Sequence, residues 1–232
     1  MKINKLLVCL TLLSIGCMMY SIDGSWVGTI NGLSTKLLTE QIKLLEKQSK
    51  NTKDLAGVTA KIGICYHMIA LETGKNADTS IKKLQKSLSL HNDPLVKAFL
   101  GSAMTLKGNE KQDLGILGQG LLLIDEARNE SPDNISILLL RVSNGAGMPD
   151  FILEYNKRLG LLNADIQHSE KMYAEGTLPV EMFVEFKYLK SKLVLKEKKL
   201  NEATQIWNEI ITGFPDSKFA RLSAQELSKY SE

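Results

Sequence analysis

Four prolines cut most of this chain into segments of similar length. Asp93-Pro94, Ser131-Pro132, Leu178-Pro179 and Phe214-Pro215 each stand just ahead of a stretch whose apolar residues recur at helical spacing, as expected where proline occupies or precedes a helical first turn. The intervals, about 36–47 residues, are those of helix-turn-helix units, and one such unit cannot bury its own apolar face and must stack on the next. The segments between the prolines agree. Leu114, Leu117, Leu121 and Ile124 step by helical intervals, as do Met182, Phe186, Leu189 and Leu193, and each set forms a stripe along one helix face. Upstream, Leu38, Ile42 and Leu45 open the helical part near Leu33; the polar cluster 48–52 ends that segment, and Asp54 offers a cap for the next. Only 6% of residues are aromatic and 5 are proline, which favours helices over a sandwich or barrel.

Composition removes several function classes. With 44% hydrophobic and 24% charged residues over 232 positions, the chain has average globular usage, and disorder is excluded as the dominant state. The 29 basic and 26 acidic residues leave a net charge of +3, without the basic excess of a nucleic-acid binder.

The N-terminus reads as an address. Lys2 and Lys5 precede a nearly unbroken apolar run from Leu6 to Ile15, too short to span a bilayer but right for a secretory signal, and Ser14 and Gly16 place small residues ahead of Cys17. Residues 1–16, or the stretch to residue 21, are therefore expected to be removed. Leu13-Ser14-Ile15-Gly16-Cys17 resembles a bacterial lipobox with Ser14 where leucine is usual, so Cys17 is a candidate for lipidation, with plain secretion as the alternative. Residues 17–32 carry turn signals at Asp23-Gly24-Ser25 and Asn31-Gly32 and read as a tether with one short extended stretch over 26–30. Residues 33–232 form the folded domain. With Cys9 lost and Cys17 capped, Cys65 stands alone in an apolar helical context, which precludes a disulfide framework and favours a core role.

Chemical motifs are absent. His67, His91 and His168 are too scattered for a local ligand pair, and neither Cys-x-x-Cys nor His-Glu-x-x-His occurs. Gly115, Gly118 and Gly120 reverse the order of a dinucleotide loop and follow no strand, so close helix packing is the expected role. No nucleophile elbow exists, and Asp125-Glu126 reads as a solvated helix face. No metal, cofactor or catalytic residue is expected.

Ala203, Trp207, Ile210 and Pro215 have the spacing of the second helix and closing proline of a tetratricopeptide repeat, and Leu100-Gly101 with Gly120, Ile124, Ala127 and Pro132 repeat it. On these residues the chain resembles the tetratricopeptide-repeat family. Ser191 takes the small position of the last unit's first helix, with Lys190 and Val194 departing from the pattern; an earlier unit offers Gly63 and Tyr66 before an insertion at Gly74–Ala77, and 133–178 is the most divergent stretch. The resemblance implies an all-α fold, a right-handed solenoid of about four irregular stacked antiparallel hairpins with a C-terminal capping helix over Pro215–Tyr230. It also implies a concave groove lined by the first helix of each unit: His67 in the first, Ser102 and Thr105 in the second, Glu185, Tyr188, Lys192 and Lys196 in the last. The basic run Lys187, Lys190, Lys192, Lys196, Lys198 and Lys199 is either a wet face or a clamp for an acidic peptide or C-terminal carboxylate. The expected function is a non-catalytic protein-interaction scaffold of a bacterial envelope, periplasmic or lipid-anchored, binding a peptide or partner protein. The alternative is an assembly or transport accessory that holds a small ligand between helices.

Overall fold

The computed structural model describes residue 22 and residues 24–149 and 153–230. The signal segment, its cleavage site and Cys17 lie outside the described residues. Among the described residues there are eleven helices and no strand: α1 (Gly24–Ile30), α2 (Thr35–Gln48), α3 (Leu55–Thr73), α4 (Ala77–Leu90), α5 (Pro94–Lys111), α6 (Leu114–Glu130), α7 (Ile135–Gly147), α8 (Leu153–Ala174), α9 (Val180–Lys196), α10 (Leu200–Gly213) and α11 (Lys218–Ser228). The all-α expectation holds. One expectation fails early, because residues 26–30 are helical and not extended, with Val27 and Ile30 buried.

Helix boundaries follow local chemistry. Ser34, Asp54, Asp93, Asp113, Asn134 and Ser217 each accept a hydrogen bond from a backbone N–H of the first turn that follows, satisfying donors that the helix cannot. Pro94 occupies the first turn of α5 behind the Asp93 cap, and Pro179 stands directly before α9. Gly74 and Asn76, both at positive φ, turn the chain between α3 and α4, so the expected insertion there is a tight connection.

Packing has a two-level order. From α2 to α11 each helix packs on the next, and in addition α3 touches α5, α5 touches α7, α7 touches α9 and α9 touches α11. The odd-numbered helices thus form a continuous row. The apolar core falls into three clusters that succeed one another along the chain, the first centred on α1–α5, the second on α6–α9 and the third on α9–α11. α3 is apolar enough to cross a membrane by length and composition, but most of it is buried within the protein; its apolarity comes from lying between α2, α4 and α5.

A small residue sits where each odd helix meets its successor. A methyl group at Gly63 would lie 2.8 Å from the Leu84 side chain, one at Gly101 2.4 Å from the Gly120 carbonyl, and one at Gly145 2.3 Å from Leu162. In the last pair the position is held by fully buried Ser191, whose hydroxyl oxygen accepts from Trp207 Nε1 at 2.7 Å. Backbones approach this closely only where no side chain intervenes. Gly120 meets the expectation of close packing, whereas Gly118 borders open space and Gly115 faces only the Asp113 cap.

The divergent stretch is joined by charge. Arg141 of α7 makes a two-pronged pair with Asp165 of α8 at 2.5 and 2.8 Å. Arg158 of α8 does the same to Asp125 of α6 at 2.5 and 2.7 Å, and Arg128 adds a third cation, 3.3 Å from Asp165. Burial opposes the charge on Arg141, but the hydrogen bonds and charges of Asp165 and Asp125 outweigh it and raise its pKa. Asp125 is thus no solvated face, because α6, α7 and α8 meet on it. Removing one partner of so buried a network costs about 3–5 kcal/mol.

The glycine crossings give opposite expectations for one substitution. Gly101→Ala forces backbone against backbone and should lower unfolding stability by about 1–3 kcal/mol, whereas Gly118→Ala should raise it by about 0.5–1 kcal/mol through helix propensity alone. Urea midpoints of the two variants, at unchanged slope, measure both.

Candidate functional site

Along the row of odd helices lies a cavity of about 280 Å³, with walls from α1, α3, α5, α7, the segment after α7, and α9, and with Leu117 and Leu121 of the even helix α6. Its apolar lining includes Leu71, Phe99, Leu106 and Leu139, and its polar lining includes His67, Ser102, Thr105 and Asn144. Glu185 enters from α9. Four residues assigned to a groove by sequence, His67, Ser102, Thr105 and Glu185, therefore meet in one place although they come from three helices.

The polar members form a network. Asn144 Nδ2 donates to Ser102 Oγ at 3.0 Å and to the Leu140 carbonyl at 2.7 Å. Thr105 Oγ1 lies within hydrogen-bond reach of the Ser102 carbonyl and of Asn144 Oδ1. Ser102 Oγ lies 3.0 Å from His67 Nε2. Ser102 Oγ, while accepting from Asn144, satisfies Nε2 as donor or as acceptor in either tautomer, and the ring nitrogen left over is Nδ1. That nitrogen is buried and has no partner. Burial pushes the His67 pKa down to about 4, so the ring is neutral at pH 7. It also packs edge-on to Phe99, with centroids 5.9 Å apart.

A serine next to a histidine invites a nucleophile reading, and the geometry opposes it. Ser102 is buried, its oxygen is occupied as an acceptor from an amide, and no carboxylate stands at His67 Nδ1 to orient the ring and stabilise an imidazolium. Cys65 is fully buried and burial pushes its thiol up to about 12, which leaves no thiolate for chemistry. Among the described residues no group of three His, Cys, Asp or Glu comes together.

The other expected groove residues are placed elsewhere. Tyr188 is buried against Phe219 of α11, ring centroids 5.5 Å apart, and Lys192 lies 5.9 Å above the Tyr188 ring. Lys196 Nζ donates to the Met148 carbonyl at 2.7 Å, just past the end of α7. These three do not line the cavity, and the basic run is largely engaged: Lys187 pairs with Glu209, Lys190 with Glu170 at 2.8 Å and Lys199 with Glu197 at 2.5 Å. Most of the run's ammonium groups thus meet partners within the chain. Glu185 instead brings a carboxyl whose pKa burial raises, with Lys218 acting the other way.

Sequence reasoning missed two contributors. Asn144, which ties Ser102 to Thr105, lies in the divergent stretch where no repeat register could be counted. The other is α1. Val27 and Asn31 line the same cavity, α1 packs on α7, and Lys61 of α3 lies 5.3 Å over the Trp26 ring. Ile22 N–H donates to Asp93 Oδ2 at 2.9 Å. The N-terminal segment lies across α3, the start of α5 and α7.

Comparison with known proteins finds no family model, no curated protein and no solved structure that matches this chain, so the tetratricopeptide resemblance rests on the residues themselves.

The buried imidazole makes stability depend on pH with a defined sign. Between about 4 and 6.5 the unfolded chain binds the His67 proton and the folded chain does not, so stability is lost as pH falls through that window, by on the order of 3 kcal/mol at its acid end. Glu185, with its pKa raised, acts in the opposite sense. The readout is therefore the difference between wild type and His67→Leu: the variant should show a flatter fall of thermal midpoint from pH 6.5 to pH 4.

Proposed function

We propose that this chain is a non-catalytic interaction scaffold in which α3–α4, α5–α6, α7–α8 and α9–α10 are four stacked hairpins of a tetratricopeptide-like solenoid, capped by α11. The odd-numbered helices present the working face, and a partner protein segment lies along it. One observation carries the reading: the cavity on this face takes its walls from α3, α5, α7 and α9 together, so the site exists only because the units stack. Rigid helices hold it ready, and a binding segment meets a preformed surface with little ordering cost to the receptor. The network of His67, Ser102, Thr105 and Asn144 fixes polar positions within apolar walls, a composition that suits recognition.

The cavity volume, about 280 Å³, sits near the lower end of small-ligand sites at about 300–1,000 Å³, and His67 Nδ1 is a buried ring nitrogen without a hydrogen-bond partner. Those two facts favour a small ligand as the second reading. Residues 1–16 as an export leader, with Cys17 as the anchor point or the chain freely secreted, complete the proposal. Intact-mass measurement of the chain from a bacterial envelope fraction should show loss of the leader, with or without added lipid on Cys17; an unprocessed Met1 would remove the export reading.

A peptide library displayed on phage and selected against the immobilised full chain tests the main reading. Enriched peptides should lose binding to Ser143→Trp, which fills the cavity, and keep it with Lys171→Glu on the exposed side of α8. Peptides indifferent to Ser143→Trp, or no enrichment against either the full chain or a full chain with α1 released by Gly28→Pro, would remove the groove as a protein-binding face. Thermal stabilisation by a metabolite that Ser143→Trp abolishes would instead select the small-ligand reading.

A further inference from the structure

Ile22 together with residues 24–31 behaves like a bound peptide that happens to be covalently attached. α1 has seven residues, well below the length at which a helix persists in water by itself, and it contains Gly24 and Gly28, which weaken it further. What holds it is the odd-helix face. Ile22, Val27 and Ile30 are buried in the first core cluster, with Trp26 packed against it. Gly24 lies against α7 closely enough that a methyl group there would sit 3.1 Å from Ser136 Oγ. The other side of α1, Ser25, Gly28 and Thr29, is exposed.

Polar recognition at its start is divided within one carboxylate. Asp93 Oδ1 caps α5 by accepting from Leu95 and Val96 N–H at 2.8 and 3.2 Å, while Oδ2 accepts from Ile22 N–H at 2.9 Å. The first interaction belongs to the helix. The second receives an arriving backbone and names no side chain, so any extended segment with an N–H at that point satisfies it. Downstream, Lys61 lies over the Trp26 ring, a cation–π arrangement that selects an aromatic residue.

We infer that the partner of this groove is a short amphipathic protein helix of the kind α1 exemplifies, an aromatic residue followed by apolar residues at the next position and three further on, and that α1 holds the partner's place until displaced. This rests on the groove reading above and adds the chemistry of the partner and the self-occupied state of the full chain. Displacement exposes the Asp93 Oδ2 acceptor, the Lys61 ammonium and the apolar surface of α3 and α7, and it removes Val27 and Asn31 from the cavity wall, so the cavity widens on the side where the partner enters.

The test uses the full chain carrying Val27→Asp and Ile30→Asp, which releases α1, and a fluorescent synthetic peptide of residues 22–33 with the natural sequence. Anisotropy should report saturable binding to the variant that is on the order of tenfold or more tighter than to wild type, because in wild type the attached segment competes at high effective concentration. The same peptide with both aspartates should not bind. Equal binding to both chains, or none to a variant that keeps wild-type circular dichroism and a cooperative melt, overturns the inference. Should the double variant not fold, Gly28→Pro breaks α1 from its exposed side without placing charge in the core; if that chain also fails to melt cooperatively, α1 is a core element and the inference is overturned. Library peptides that depend on the groove, found alongside a silent 22–33 peptide, would remove this inference and leave the groove reading intact.

Discussion

Each odd helix from α3 to α9 meets its successor at a small residue, glycine in α3, α5 and α7 and a buried serine in α9, and the remaining architecture follows from those points of approach. Gly63, Gly101, Gly145 and Ser191 recur at intervals of about 40 residues, opposite Leu84, Gly120 with Ile124, Leu162 and Trp207. A larger side chain at any of them would separate two helices and shift everything beyond, because interiors are close-packed and transmit displacement. The approach also leaves one face of every odd helix uncovered by its successor. Those faces, with Leu117 and Leu121 of α6, line the cavity.

Much of this order is written locally. Caps at Asp54, Asp93, Asp113 and Asn134 and the prolines before α5, α7, α9 and α11 mark boundaries that any helix would need, and the stripes at 114–124 and 182–193 announce buried faces. His67, Ser102, Thr105 and Glu185, which the tetratricopeptide resemblance puts on one face, all line the one cavity. Tyr188, Lys192 and Lys196 came from the same register and were misplaced. They lie on the side of α9 toward α11 or reach the end of α7, and which neighbour a residue meets depends on how far α9 turns against α8, a tertiary quantity. The segment 26–30 was illegible for a different reason. Gly24 just ahead of it, Gly28 within it and its short length speak for no regular structure, and its helix exists through contacts to residues far along the chain.

The stretch from 133 to 178 shows how one device replaces another. It keeps a small residue at the α7–α8 crossing, Gly145, but sets Leu162 against it where α10 offers Trp207, and α6, α7 and α8 are aligned by Arg128, Arg141 and Arg158 against Asp125 and Asp165. Planar guanidinium forks accept a carboxylate in few orientations, so the network specifies angle and register where apolar packing is less directive. Its partners come from three helices at long range, which is why reading the neighbourhood of Asp125 alone suggests a solvated surface.

Between α1 and α2 there are only the residues of 31–34. So short a leash keeps a released α1 within a few nanometres of the face it left, a local abundance in the millimolar range for short flexible connections. Any rival in free solution therefore faces a threshold: weak matches are screened out however numerous the chance encounters, and only a segment with a longer or better-fitting apolar face wins. A seven-residue helix of poor intrinsic stability thus sets the stringency of the whole surface, and lengthening the leash would relax it without altering a single contact.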